Sequence, residues 1–250
     1  MRFGAAILCL GIAGALSFPF GEIAWKEVRE RVGTFSPEAL ERSAGTGIAL
    51  GTLGGFRTVL ADIAWLRAFH FWGKRDPVDC MKYCDLAMTL APEQLFFLEN
   101  TANYVAFEFP VWEIRKRGGF LQVPENVQRE IHKKALAEAL EILHRASLAD
   151  PENPQIYILA AQLTAIKTDR IYGVPDYAKS AAYYRRACEC PGAPLFAFAS
   201  YARFVGEHVP AERASAKVFL EACRERAETP ARKHFFSELL TEYFASPANG

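Results

Sequence analysis

The chain has 250 residues, 51% of them apolar and 23% charged, which is enough to bury a sizeable core and too apolar for disorder throughout. Lysine and arginine total 29, as do aspartate and glutamate, so the formal net charge is zero and no basic excess draws in nucleic acid by counterion release. Only 17 glycines and 14 prolines are present, and the prolines fall between segments of helical period, which argues against a chain of short alternating strands and predicts an all-α fold.

After Met1 and Arg2, the stretch Phe3 to Phe20 carries no charged residue and only Ser17 as a polar hydroxyl. A spanning helix needs roughly 20 apolar residues, and this stretch reaches that length if Trp25 and Lys26 stand at the headgroups. A secretory signal is the competing reading, with Ala13-Gly14-Ala15 as its small-x-small site, although cleavage there would leave a short signal. Residues 1–21 are therefore expected to be an uncleaved N-terminal apolar helix acting as a membrane anchor, with the cleaved signal peptide as alternative. Lys26, Arg29 and Arg31 are interleaved with Glu22, Glu27 and Glu30, so the positive-inside count does not fix orientation. The start at residue three favours a domain on the exported, periplasmic side. No lipobox precedes Cys9. Residues 22–55 read as a juxtamembrane linker that ends in the small, apolar run AGTGIALGTLGG, and Arg57 and Asp62 keep that run from extending into a second span.

From residue 56 to 250 the chain repeats itself. LAMTLAPEQ ending at Gln94, LHRASLADPENP ending at Pro154 and YYRRACECPGAP ending at Pro194 each close an amphipathic helix, pass a proline and open another. Small residues recur in step. Ala68, Ala102, Ala161 and Ala202 are spaced 34, 59 and 41 apart, while Cys80, Ala139, Ser180 and Ala214 follow with spacings 59, 41 and 34. Ala87, Ala146 and Ala187 show the same 59 and 41. The two long spacings locate extra chain around Gly118-Gly119 and Pro124, where two lengthened helices meet, and around residues 169 to 175. Residues after Pro230 read as a closing helix over the last pair.

Over residues 58 to 226 this pattern resembles the tetratricopeptide repeat family, whose unit is a 34-residue helix-turn-helix with small residues at these places and a proline at its exit. The resemblance implies a right-handed α-solenoid of about four helix pairs plus a C-terminal capping helix. Its implied role is protein–protein interaction, not catalysis. GGFRTVLADIAWLRA also resembles stretches that follow membrane anchors in bacterial repeat proteins, which implies the cell envelope. The expected function is a non-enzymatic, membrane-tethered scaffold that positions protein partners, within a pilus or secretion assembly for example. The rivals are a cleaved soluble exported module and a thiol- or metal-dependent enzyme.

Residues that could carry chemistry have plainer readings. Gly51 to Gly55 lacks the Gly-Lys-Ser/Thr ending of a phosphate loop. Cys80 and Cys84 could join Cys188 and Cys190 around zinc, but they stand in register with Ala139 and Leu143, where cysteine packs as a small apolar residue. With Cys223 these thiols form no disulfide framework, and His70, His132, His144, His208 and His234 show no ligand spacing. No metal, cofactor or small-molecule substrate is expected. In stacked pairs the first helices line the concave face, so the register predicts a partner-binding groove. It comprises Asp62, Trp65, Phe69 and Trp72; then Phe96, Glu99, Asn103 and Phe107; then Gln155, Ile158 and Gln162; then Phe196 and Arg203. Asp62 has a structural alternative, an ion pair with Arg57 or Arg67. The lysine-and-asparagine clamp by which some members of the family grip a carboxylate terminus is not apparent, because Trp65 stands where its first lysine would be.

Overall fold

The computed structural model describes residues 57–245, and all regular structure there is helical. The expected anchor at residues 3–20 and linker at 22–55 lie outside the described residues. Among the described residues no helix is long and apolar enough to cross a membrane. The chain divides into two compact units, one containing residues 57–70 and 78–91 and the other residues 71–77 and 92–245 of the described chain.

In the first unit, α1 (Arg57–Gly73) buries Ala61, Ala64 and Ala68, and α2 (Pro77–Leu90) buries Cys80, Cys84, Ala87 and Leu90. Both sets recur every three or four residues, so each helix turns one stripe of mostly small side chains inward. Proline at the first position and Asp79 in the first turn suit the start of α2. Arg57 Nη2 donates to the Thr89 carbonyl at 3.3 Å, tying the start of α1 to the end of α2.

The second unit opens with α3 (Leu95–Asn103), a π-helical turn (Tyr104–Glu108) and α4 (Phe109–Lys116). Pro110 explains the wide turn: it has no N–H to give the preceding turn, and its ring needs room there. The Phe109 N–H accordingly reaches back five residues to the Tyr104 carbonyl. Gly118 and Gly119 have φ of 109° and 91°, a left-handed corner that side chains resist, and they turn the chain towards α5 (Glu125–Ala149). Next come α6 (Pro154–Tyr172) and α7 (Tyr177–Glu189), whose first turns are capped by Asn153, accepting from the Gln155 N–H at 3.1 Å, and Asp176, accepting from the Lys179 N–H at 2.9 Å. α8 (Leu195–His208), a 3₁₀ turn (Pro210–Glu212), α9 (Arg213–Arg226) and α10 (Pro230–Phe244) complete the unit. Thr229 caps α10 from the position before its proline.

Neighbours in sequence pack together from α4 through α10, and α3 also meets α5 while α8 meets α10. One apolar cluster runs through α6 to α10, with Tyr184, Phe198, Tyr201, Phe204 and Phe236 around buried alanines. The small-residue register holds at Ala68, Ala102, Ala161, Ala202, Cys80, Ala139, Ser180, Ala87 and Ala187, all fully buried. It slips in the last pair: Ala214 is exposed, and Ala216 with Leu220 is buried instead. The apolar residues of α9 recur at Ala216, Phe219, Leu220 and Cys223, and burying that stripe in the core leaves Ala214 on the outer side. Ala146 is only half-buried, near the end of α5.

Candidate functional site

Within the second unit, α3, α6 and α8 enclose a cleft of about 320 Å³, lined by Leu95, Leu98 and Glu99, by Gln155, Ile156, Ile158, Leu159 and Gln162, and by Phe196. The lining residues from α3 and α8 lie near the starts of those helices, within the first five residues of each. Ile158 and Ile156 are buried and make the floor, while Glu99, Gln155, Gln162 and Phe196 are exposed around the rim. Gln162 is further held by the Tyr184 hydroxyl, which also hydrogen-bonds Ser200 and lies near Arg203. Burial pushes that phenol above the ordinary tyrosine range, so it stays neutral. The arrangement offers an apolar slot with amide and carboxylate edges, a surface suited to holding one apolar side chain and the polar backbone beside it.

Of the expected groove, the structure thus brings Glu99, Gln155, Ile158, Gln162 and Phe196 to one cleft. The others stand elsewhere. Phe96 is 55% exposed and meets Phe97 edge to face, and Arg203 is exposed with its guanidinium 5.3 Å from the Phe204 ring centroid. Asn103 is half-buried. Trp72 stacks on Tyr104 at 5.9 Å and meets Trp112 at 6.4 Å, in an aromatic cluster that does not line this cleft. Asp62, Trp65 and Phe69 belong to the first unit, where Asp62 and Phe69 are exposed and Trp65 is half-buried.

Phe107 is half-buried below a group that the sequence did not single out. The Lys167 ammonium lies 4.8 Å from its ring centroid and 3.0 Å from Nδ1 of His132. Lys167 is 0% exposed and His132 4%. Burial, reinforced by Arg170, lowers the lysine pKa from 10.5 to about 8. Burial, then Lys167 and Arg170, lowers that of the histidine from 6.5 to about 4. An ammonium can only donate, so at neutral pH His132 accepts at Nδ1 and carries its proton on Nε2. The sequence did hold a signal: Ala160, Leu163, Thr164, Lys167, Thr168 and Ile171 follow one helical stripe, so the lysine occupies an inward position.

The cysteines show no activation among those with a perturbed titration. Burial raises Cys188, Cys190 and Cys223, which keeps them as thiols at neutral pH. Among the described residues no three His, Cys, Asp or Glu side chains converge in a way that could hold a metal ion. No protein-family model matches the chain, and no curated protein matches it.

Proposed function

We propose that the chain is a scaffold of tetratricopeptide-like helix pairs, arranged as an α-solenoid and tethered at the cell envelope by residues 3–20, which binds a protein partner through the cleft between α3, α6 and α8. The observation that carries the reading is that side chains chosen only by repeat register, on the first helices of three successive pairs, line one cleft with an apolar floor and polar rim. A repeat protein uses equivalent helices to build one continuous binding face, and this cleft has that construction. Fully buried small side chains at the register positions allow the close helix approach such stacking needs.

The double substitution Phe196→Ala with Gln162→Ala tests the cleft. Both side chains are exposed, so the helical circular dichroism and thermal midpoint should stay near those of the parent. Capture of the partner by the full chain should weaken about tenfold or more, equivalent to ~1.4 kcal/mol. Unchanged capture by the folded variant would remove this cleft from the interface. The tether makes a separate expectation. The full chain should remain in the membrane pellet after alkaline carbonate extraction, and a chain beginning at Glu22 should be soluble. Recovery of the intact full chain in the supernatant would remove the anchor from the proposal.

A further inference from the structure

The second unit holds a larger cleft, about 700 Å³, where the turn at Arg75 and Pro77, the π-helical turn with α4, and the first half of α5 meet. Most of its lining comes from α4, the turn after it and α5, on either side of the extra chain around Gly118-Gly119. Its walls include Phe109, Trp112 and Ile131, with the Phe109 and Trp112 rings 5.1 Å apart. Five cations, Arg75, Arg115, Lys116, Arg117 and Lys134, face two carboxylates, Glu113 and Glu138. The carboxylates are already engaged: Glu113 pairs with Arg117 at 2.6 Å and Glu138 with Lys134 at 3.8 Å. Arg75, Arg115 and Lys116 make no ion pair among the described residues and are exposed. In a chain of zero net charge, this cleft carries a local excess of positive charge beside aromatic surface.

Arg75 adds an independent observation. Its φ is 57°, the left-handed region, and it is the only non-glycine with positive φ among the described residues. The tight turn around it is closed by the Arg75 N–H to Trp72 carbonyl bond at 2.9 Å and the Asp76 N–H to Phe71 carbonyl bond at 3.0 Å. Glycine would satisfy that backbone without strain, whereas a residue with a side chain is strained there. The strained position therefore carries a guanidinium that lines the cleft.

We propose that this cleft is a second interaction surface, one that takes an acidic peptide segment bearing an aromatic or large aliphatic side chain. The apolar side chain packs against Phe109 and Trp112, and flanking carboxylates meet Arg75, Arg115 and Lys116 in forked or point-charge contacts. The cleft is an open trough between helices, which admits a passing chain. Its charge excess selects acidic over basic segments, and its aromatic wall separates it from a bare anion site. This surface does not depend on the α3–α6–α8 cleft.

The test uses the full chain in detergent and a short fluorescent peptide in which phenylalanine is flanked by glutamates. Binding should be saturable, weaken as salt rises, and fall about tenfold or more in Arg115→Glu with Lys116→Glu. Exchanging the peptide's phenylalanine for alanine should weaken it further. Arg75→Gly guards against a folding artefact, because it relieves the left-handed strain and should leave the thermal midpoint equal or higher while still weakening the peptide. No binding to the parent chain, equal binding by all three proteins, or an alanine peptide binding as well as the phenylalanine peptide would overturn the proposal. So would binding to phosphatidylserine-containing vesicles in place of the peptide.

Discussion

Gly206→Val is expected to lower the unfolding free energy by about 3 kcal/mol, an overpacking effect at the upper end of what a single core substitution does. Gly206 lies in α8 where α10 crosses it. A Cβ built there would stand 2.7 Å from the Tyr243 Cβ and 3.1 Å from the Tyr243 carbonyl oxygen. Neither atom is the end of a flexible side chain, so α10 itself must move away from α8. That movement opens the seam where Phe236, Leu239, Leu240 and Phe244 join the cluster containing Phe198, Tyr201 and Val205. It also disturbs Arg213, whose guanidinium donates to the Gly206 carbonyl and lies 5.7 Å from the Phe244 ring centroid. Gly206→Ala should lose less, about 1–2 kcal/mol, since alanine's better helix propensity offsets part of the clash by ~1 kcal/mol. Urea unfolding of the parent and both variants measures this. If Gly206→Ala proves more stable than the parent, the close crossing of α8 and α10 is not a constraint.

The second large effect is a stability that rises with pH in two separate windows. Both His132 and Lys167 have folded-state pKa values below their ordinary ones, so the unfolded chain holds more protons wherever pH lies between the two values. Stability should therefore fall as pH drops from 6.5 towards about 4, because His132 takes up a proton in the unfolded chain while burial keeps it neutral in the fold. It should rise as pH climbs from about 8 towards 10.5, where Lys167 is already neutral in the fold and still charged in the unfolded chain. Each window is expected to span about 3–4 kcal/mol, since one pKa step is roughly 1.4 kcal/mol and each group falls from 6.5 to about 4 or from 10.5 to about 8. Lys167→Met separates the two groups. It should abolish the alkaline rise, weaken the acid fall by removing a neighbouring charge from His132, and be neutral or stabilising at pH 7 by about 1 kcal/mol. The loss of the lysine's contact with the Phe107 ring and with Nδ1 opposes part of that gain. Chemical unfolding at pH 5, 7 and 9.5 reads all three outcomes. An unchanged alkaline slope in Lys167→Met would show that another group carries it.

The local features of this protein were legible in its sequence because they depend on local physics. Helical period, the proline at the start of α6 and α10, and the Gly118-Gly119 corner are properties of neighbouring residues, and they marked helix starts and the extra chain between α4 and α5. Small residues at Ala102, Ala139, Ala161, Ser180 and Ala202 likewise marked buried positions, since a close helix approach leaves no room for larger side chains. The repeat spacing even selected Glu99, Gln155, Ile158, Gln162 and Phe196, which line one cleft.

Tertiary structure decided the rest. Whether Ala214 or Ala216 faces inward depends on which stripe of α9 meets the core, and the stripe that does is Ala216, Phe219, Leu220 and Cys223, two positions out of step with the repeat spacing. Trp72 joins Tyr104 and Trp112 because of the route of the chain around the π-helical turn, a route set by how Pro110 distorts the helix. Lys167 could be placed on an inward stripe from its spacing, but its partner His132 is 35 positions away, and only the packing of α5 against α6 brings them to 3.0 Å. The basic cleft draws side chains from residues 75 to 138 in the same way. Periodicity says which face of a helix is buried; which side chains meet there follows from the crossing of one helix over another, and that crossing is settled by the whole packed interior.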